Sequence, residues 1–366
     1  MAATLKDVAL RAGVSVRTVS NVVNNYPYVT AEMRERVQAV LEELKYQPNL
    51  SARYLRKGRS GILAYAMPDL SNVYFSEIGN AIITAADARS YTVLIDHTRG
   101  KRESECHVVQ GLTPHLIDGV ILSPCALEPE DLQPRENSLP IVLLGDRVYN
   151  VPYDHVTFDN VGTARLATRH LIDIGRRRIA AIGIQEENAH KTETSLLRLQ
   201  GYTEALTAAS ISLDERLIIR GIPTFSRKVG ADAMQHLLTL EEPPDAVFCF
   251  NDHLALGVVR AIHEAGYRVP EDIAVVGYDD IEDSRYSTPS LTTISPDKEK
   301  IGELAVAFLL GRIDGTRTGP PERVEVPCQL IIRESTVAAA TRGDHTTPGD
   351  RNTLGDRKGS PLLYTP

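Results

Sequence analysis

The sequence predicts an α/β protein: an N-terminal all-α helix-turn-helix head on a body of two Rossmann-like, parallel-sheet subdomains. Three observations carry this. The first 46 residues repeat apolar positions at helical spacing in short blocks, and from Gly61 onward short apolar runs alternate with amphipathic stretches. Charge also divides between the two regions.

In the head, Leu5, Val8 and Ala9 recur at i, i+3, i+4, and Val19, Val22 and Val23 repeat that spacing after a break at Gly13. The two stripes can pack on each other. Thr4 followed by Asp7 reads as a capping-box-like start, and Ser15 stands as an N-cap just past Gly13-Val14, so each helix carries its own beginning. Off the packed face, the second helix presents Val16, Arg17, Ser20, Asn21 and Asn24. Among them are a guanidinium, amides and a hydroxyl, the groups that reach base edges and phosphates. By itself this pattern serves a DNA reader and a plain helical hairpin with a solvated face equally well. Thr30 then caps a third helix whose Met33, Val37, Val40, Leu41 and Leu44 keep helical spacing, and Pro48 stops it. So small a unit buries little surface and is marginal alone, which implies support from DNA or from a neighbouring copy.

Residues 1–60 hold ten Lys/Arg against five Asp/Glu, leaving 30 basic and 43 acidic residues for the remainder of a chain whose net charge is -8. The overall charge therefore does not exclude a nucleic-acid partner, because steering depends on the local field. The basic stretch after Pro48 reads either as a solvated linker or as a short helix that forms only on DNA. In the second case Arg53, Arg56 and Lys57 lie near phosphates and Leu55 is an apolar wedge for a minor-groove step.

At these residues the head resembles the lactose repressor/galactose repressor (LacI/GalR) family of bacterial transcription regulators. The matching text is Thr4-Leu5-x-Asp7-Val8-Ala9-x-x-Ala12-Gly13-Val14-Ser15, then Thr18-Val19-Ser20-x-Val22-Val23-Asn24, then Tyr46-x-Pro48-Asn49 with Ala52 and Leu55 beyond. The resemblance implies that Val16, Arg17 and Asn21 read bases, and that Thr4, Ser15, Ser20, Asn24 and Tyr46 hold the phosphate backbone. It places Asn49, Ala52, Arg53 and Leu55 in a hinge at the minor groove, where Leu55 pries open the central base step.

In the body, the runs 62–67, 92–96, 119–122 and 141–144, with the helical stretch Phe75–Ala88 between two of them, read as repeated β-α-β with a parallel sheet. The same texture resumes at 179–182, 246–250 and 273–276, so two similar halves are implied. Open α/β sheets bind ligands beyond the carboxyl ends of their strands. Several runs end in hydrogen-bonding groups: Asp146, Asn251-Asp252 and Asp279-Asp280. Of these, Asp252 and Asp280 read as helix-cap or turn residues.

The family resemblance continues to about Glu334 through Phe250-Asn251-Asp252-x-x-Ala255-x-Gly257, Val269-Pro270-x-Asp272-Ile273-x-Val275-Val276-Gly277-Tyr278-Asp279-Asp280 and Pro289-x-Leu291-Thr292-Thr293-Ile294. It implies a periplasmic-binding-protein-like body with chain crossings near Phe158, Ser290 and Glu322. The expected division is a head at 1–46, a hinge at 47–60, subdomains at 61–158 plus 291–321 and at 159–290 plus 322–339, and a tail at 340–366. Carried over position by position, Asp146, Arg198, Asn251 and Asp279 become polar effector contacts. Phe158 and Phe225 become apolar walls, and Tyr74, Phe75 and Ser123 further contacts.

The tail is rich in Gly, Pro, Thr, Asp and Arg without hydrophobic period and reads as disordered. Cys106, Cys125, Cys249 and Cys328 are scattered with no metal-ligand spacing, so no metal or other cofactor is expected. There is no signal-peptide pattern and no membrane-length apolar run, which reads as cytoplasmic. The expectation is a homodimeric transcription regulator, most often a repressor in this family. It binds a double-stranded operator under control of a small-molecule effector, a sugar in the first instance and a nucleobase in the second. A sugar-binding transport component explains the body but not the head. An enzyme lacks support from any GxGxxG after a strand, Walker A loop or GxSxG elbow.

Overall fold

The computed structural model describes residues 3–23, 26–46, 59–111, 116–133, 139–146, 151–185, 193–337 and 362–363. Asn24 and the expected hinge residues Asn49, Ala52, Arg53 and Leu55 lie outside them. The chain divides into two compact units, Met1–Gly61 and Ile62–Pro366.

The first unit contains helices α1 (Leu5–Ala12), α2 (Val16–Val23) and α3 (Ala31–Glu43). The local signals act as their chemistry requires. The Thr4 N–H donates to the Asp7 carboxylate at 2.8 Å while the Thr4 hydroxyl accepts from the Asp7 N–H at 3.4 Å, closing the capping box. Gly13 ends α1 at φ 64, a left-handed conformation that costs glycine nothing. Ser15 Oγ then accepts the Thr18 N–H at 3.0 Å. Val8, Ala9, Ala12, Val19, Val22, Val37, Val40 and Leu41 form the core, so the three stripes meet as their spacing requires.

The second unit holds two sheets. In the first, β1 (Ile62–Met67), β2 (Thr92–His97), β3 (Gly119–Leu122), β4 (Ile141–Leu144), β5 (Asp154–Thr157) and β11 (Arg323–Glu325) are ordered β11-β5-β4-β3-β1-β2, all parallel. The second is built from β6 (Ile179–Ile182), β7 (Ile218–Ile219), β8 (Ala246–Cys249), β9 (Ala274–Tyr278), β10 (Thr292–Pro296), β12 (Cys328–Ile331) and β13 (Leu362–Leu363). Its order is β13-β12-β10-β9-β8-β6-β7. Helices between the strands include α4 (Val73–Asp87), α5 (Arg102–Gly111), α6 (Asn160–Asp173), α7 (Glu193–Ala208), α8 (Arg227–Leu238), α9 (Asp252–Glu264), α10 (Glu282–Tyr286) and α11 (Lys298–Asp314). Among the described residues no helix is long and apolar enough to cross a membrane.

Two expected crossings move. Ser290–Leu291 does not begin the return to the first subdomain, because β10 pairs in parallel with β9 (Thr292 beside Val276) and antiparallel with β12. The chain crosses only after Pro296, into α11. The third crossing follows β11 rather than Glu322, since Val324 pairs with Val156 of the first sheet. An apolar run such as Leu291–Ile294 fits either sheet locally, and only the pairing partner decides. The tail also departs from expectation at one place: Leu362 and Leu363 pair antiparallel with Leu330 and Gln329 at the sheet edge.

Close helix contact stiffens the second subdomain. A Cβ on Gly257 of α9 would sit 1.8 Å from the Arg227 carbonyl oxygen, and one on Gly230 of α8 would sit 2.1 Å from that of Leu254. Hydrogen at those positions lets the two helices meet backbone to backbone, which fixes the loop before α8 that carries Phe225.

Candidate functional site

Each unit carries a candidate site. On the head, Val19 and Val22 face inward and leave Val16 and Arg17 exposed at the start of α2, with Ser20 and Asn21 half-buried beside them. Among the described residues the Arg17 guanidinium makes no hydrogen bond or ion pair. Thr4 and Ser15, expected at phosphates, are also the caps of α1 and α2, so each marks a helix start whose free N–H groups and positive dipole end suit an anion. Tyr46 is half-buried, its N–H bonded to the Leu41 carbonyl at 2.9 Å.

In the body, the strand ends of both sheets open onto one cavity of about 450 Å³. Asp146, Phe158, Arg198, Phe225, Asn251, Asp279, Tyr74, Phe75 and Ser123 all line it. Sequence reading missed Asn72, His97, Arg99, Asn160 and Thr194, which line it too.

Asn160 organises the polar end. Its amide donates to Asp146, and its carbonyl accepts from Arg198 Nε at 2.8 Å. Asp146 also accepts from the Thr157 hydroxyl and pairs with Arg323 at 3.2 Å. Arg198 donates to the Phe250 carbonyl, and its guanidinium carbon lies 3.4 Å from the centre of the Tyr278 ring. The Tyr278 hydroxyl shares a 2.6 Å hydrogen bond with Thr163. One feature did point to Asn160: it follows the end of β5, as Asp146 follows β4. Tyr278 is the last residue of β9, and nothing local marks its ring as the platform for Arg198.

Asn251 caps α9, its Oδ1 accepting the Leu254 N–H at 2.9 Å, which leaves its amide NH2 for the cavity. The neighbouring acids are structural. Buried Asp252 accepts from Ile281 N–H at 3.0 Å, Ser284 at 2.7 Å and Thr293 at 2.6 Å. Asp280 accepts from Arg333 at 2.6 Å. Phe158 tilts against Tyr278 with ring centres 6.1 Å apart, and Tyr74 meets Phe75 edge-on at 5.3 Å, so aromatic surface flanks the polar end. Ser123 is buried 3.3 Å from the Tyr65 hydroxyl.

Asp279 is the unsettled charge. It is buried, and no hydrogen bond to its carboxylate is made among the described residues. Burial pushes its pKa up to about 8, against which the Arg198 guanidinium pulls down and the Asp252 charge pushes further up. A ligand hydroxyl donates best to the ionised form, so ligand affinity is expected to rise between about pH 6.5 and pH 9 and to flatten in Asp279→Asn. The sign for stability is opposite. A carboxyl whose folded pKa stands above its unfolded value contributes stability that is fully present at low pH and is lost as pH rises through about 8. Asp279→Asn is therefore expected to raise Tm at alkaline pH; a lower Tm there would refute the buried-charge assignment.

The chain is similar to known proteins over most of its length. A sequence pattern described as bacterial regulatory proteins, lacI family, matches residues 4–49, and one described as a periplasmic binding protein-like domain matches residues 168–336. The HTH-type transcriptional repressor CytR of Escherichia coli (strain K12) is 35% identical over 339 residues, which cover 92% of this chain and 97% of CytR. Among solved structures, the lac repressor dimer bound to operator and the anti-inducer ONPF superposes with a TM-score of 0.78 at 32% identity, covering 92% of this chain and 100% of that one. A complex of the regulator CelR with cellobiose gives a TM-score of 0.66 at 32% identity, covering 91% and 99%.

Proposed function

This chain belongs to the LacI family of bacterial regulatory proteins, DNA-binding repressors with an effector-binding domain, and from that premise we propose that its effector is a neutral carbohydrate. The observation that carries the proposal is the polar end of the cavity. Asp146 and Asp279 offer carboxylate acceptors, Arg198 and the Asn251 amide offer donors, and aromatic rings flank them. Adjacent hydroxyls of a sugar ring both donate and accept, and its apolar face lies well on an aromatic wall. CelR, of the same fold, is solved with cellobiose.

In this reading the protein is a cytoplasmic homodimer without catalytic activity. Each recognition helix enters a major groove of a near-palindromic operator, with Val16, Arg17 and Asn21 at the bases. Thr4, Ser15, Ser20, Asn24 and Tyr46 take backbone phosphates, and Asn49, Ala52, Arg53 and Leu55 take the central minor groove. Effector binding changes how the subdomains close and so the fraction of DNA-competent dimer. A coupling of roughly 1–3 kcal/mol switches operator affinity about 5–150-fold.

Thermal-shift screening of the full-length protein against mono- and oligosaccharides and against purines tests the effector class. A carbohydrate that binds the folded state at 100 times its Kd adds about 2.7 kcal/mol of stability and raises Tm accordingly. The flanking aromatic rings favour a planar nucleobase as the second reading; a shift with a purine and with no sugar selects it and rejects the first.

A further inference from the structure

We propose that Glu77 and Lys298 are positioning residues that tie the angle between the two subdomains to the effector contact at Asp279; the inference rests on reading the cleft as the effector site. Glu77 lies on α4 and Lys298 opens α11, both packed on the first sheet, while Asp280 and Glu282 follow β9 of the second. Two complementary bonds cross from one subdomain to the other. Glu77 Oε1 accepts the Glu282 N–H at 3.0 Å, and Lys298 Nζ donates to the Asp280 carbonyl at 2.8 Å. Lys298 also pairs with the Glu77 carboxylate, so the two residues form one unit.

Local sequence explains why the bond from Glu77 is needed. Helix α10 begins after Ile281, which has no side-chain acceptor to cap it. The Glu282 N–H is one of the orphan donors of a helix start, and the first subdomain supplies its partner. The pair is well shielded, with side chains 15% and 27% exposed, so water screens it less than a surface ion pair.

The clamp adjoins the ligand contacts on both sides. Tyr74 and Phe75 line the cavity three and two residues before Glu77 on α4, and Asp279 immediately precedes Asp280. Asp279 and Asp280 hold left-handed backbone, φ 110 and φ 49, which residues bearing a Cβ keep only where their surroundings over-determine it. Lys298 on the Asp280 carbonyl and Arg333 on its carboxylate supply that constraint. Hydrogen bonds weaken steeply with length and angle, so rotation of one subdomain against the other releases both crossing bonds together. That release frees the segment presenting Asp279, which makes closure and effector affinity one event.

The test needs no ligand for its first readout. In Glu77→Ala and Lys298→Met full-length protein, amide hydrogen exchange across residues 279–286 is expected to speed up at least about tenfold, while β8 and α9 exchange as in wild type. Glu77→Gln, whose amide oxygen still accepts the Glu282 N–H, is expected to recover part of the protection. Unchanged exchange at 279–286 overturns the clamp, and so does a uniform acceleration throughout the body, which marks a general loss of stability. With cellobiose as probe, Glu77→Ala is expected to raise the dissociation constant about tenfold or more. A wild-type protein that binds no cellobiose counts against the carbohydrate reading, and the exchange result still decides the clamp.

Discussion

Arg198→Ala is expected to abolish the effector response while operator binding persists. The guanidinium is buried, bonded to Asn160 and the Phe250 carbonyl, and seated on the Tyr278 ring. It is also the cation that moderates the buried Asp279 carboxyl. Removing it takes a donor from the ligand, leaves the Asn160 carbonyl without the Arg198 N–H and raises the Asp279 pKa further. Truncating the charged partner of a buried hydrogen bond to a ligand costs about 2–5 kcal/mol of binding, so effector affinity is expected to fall by at least about 30-fold. Asp279 can take up a proton instead of remaining an unpaired ion, so the fold is expected to survive. Titration calorimetry reads the first effect and operator gel shift the second. Operator binding depends on the head, a separate compact unit. Loss of both together, with a lower Tm, would place Arg198 in folding and not in ligand recognition.

Arg17→Ala is expected to weaken the specific operator by roughly 1–3 kcal/mol and to relax preference at one base position. Arg17 is exposed at the start of α2, and the caps at Thr4 and Ser15 hold the helix starts beside it without using its side chain. A guanidinium that makes no hydrogen bond or ion pair among the described residues is available for a bidentate contact. The measurement is a binding series over single-base operator variants at fixed salt, because phosphate contacts make affinity strongly salt-dependent. Equal weakening on every sequence, with a shallower salt slope, would make Arg17 a phosphate contact.

Much of the head was legible because its determinants are local. Thr4 with Asp7, Gly13 and Ser15 each act within a few residues, and the apolar stripes that fill the core are set by helical period alone. The strand-ending rule pointed to Asp146, Asn251-Asp252 and Asp279-Asp280; Asp146, Asn251 and Asp279 line the cavity, while the carboxylates of Asp252 and Asp280 are taken up by Ser284 and Arg333. Asn160 was within reach of the same rule and was missed. Arg198 came from family resemblance, since an arginine within α7 has no local mark of a ligand contact.

The sequence by itself determined where the head helices and seven of the body's apolar runs lie, that the head is basic and the body acidic, and which of those runs end in hydrogen-bonding groups. These follow from periodicity, caps and composition, which act over one or two turns of chain. Tertiary structure alone decided which sheet takes β10 and β11, that Tyr278 lies under Arg198, and that Glu77 caps a helix of the other subdomain. It also placed Leu362 and Leu363 on the edge of β12. Each of these is a pairing between residues far apart in the chain, and its free energy depends on the partner brought alongside, so no window of sequence holds both halves of the interaction.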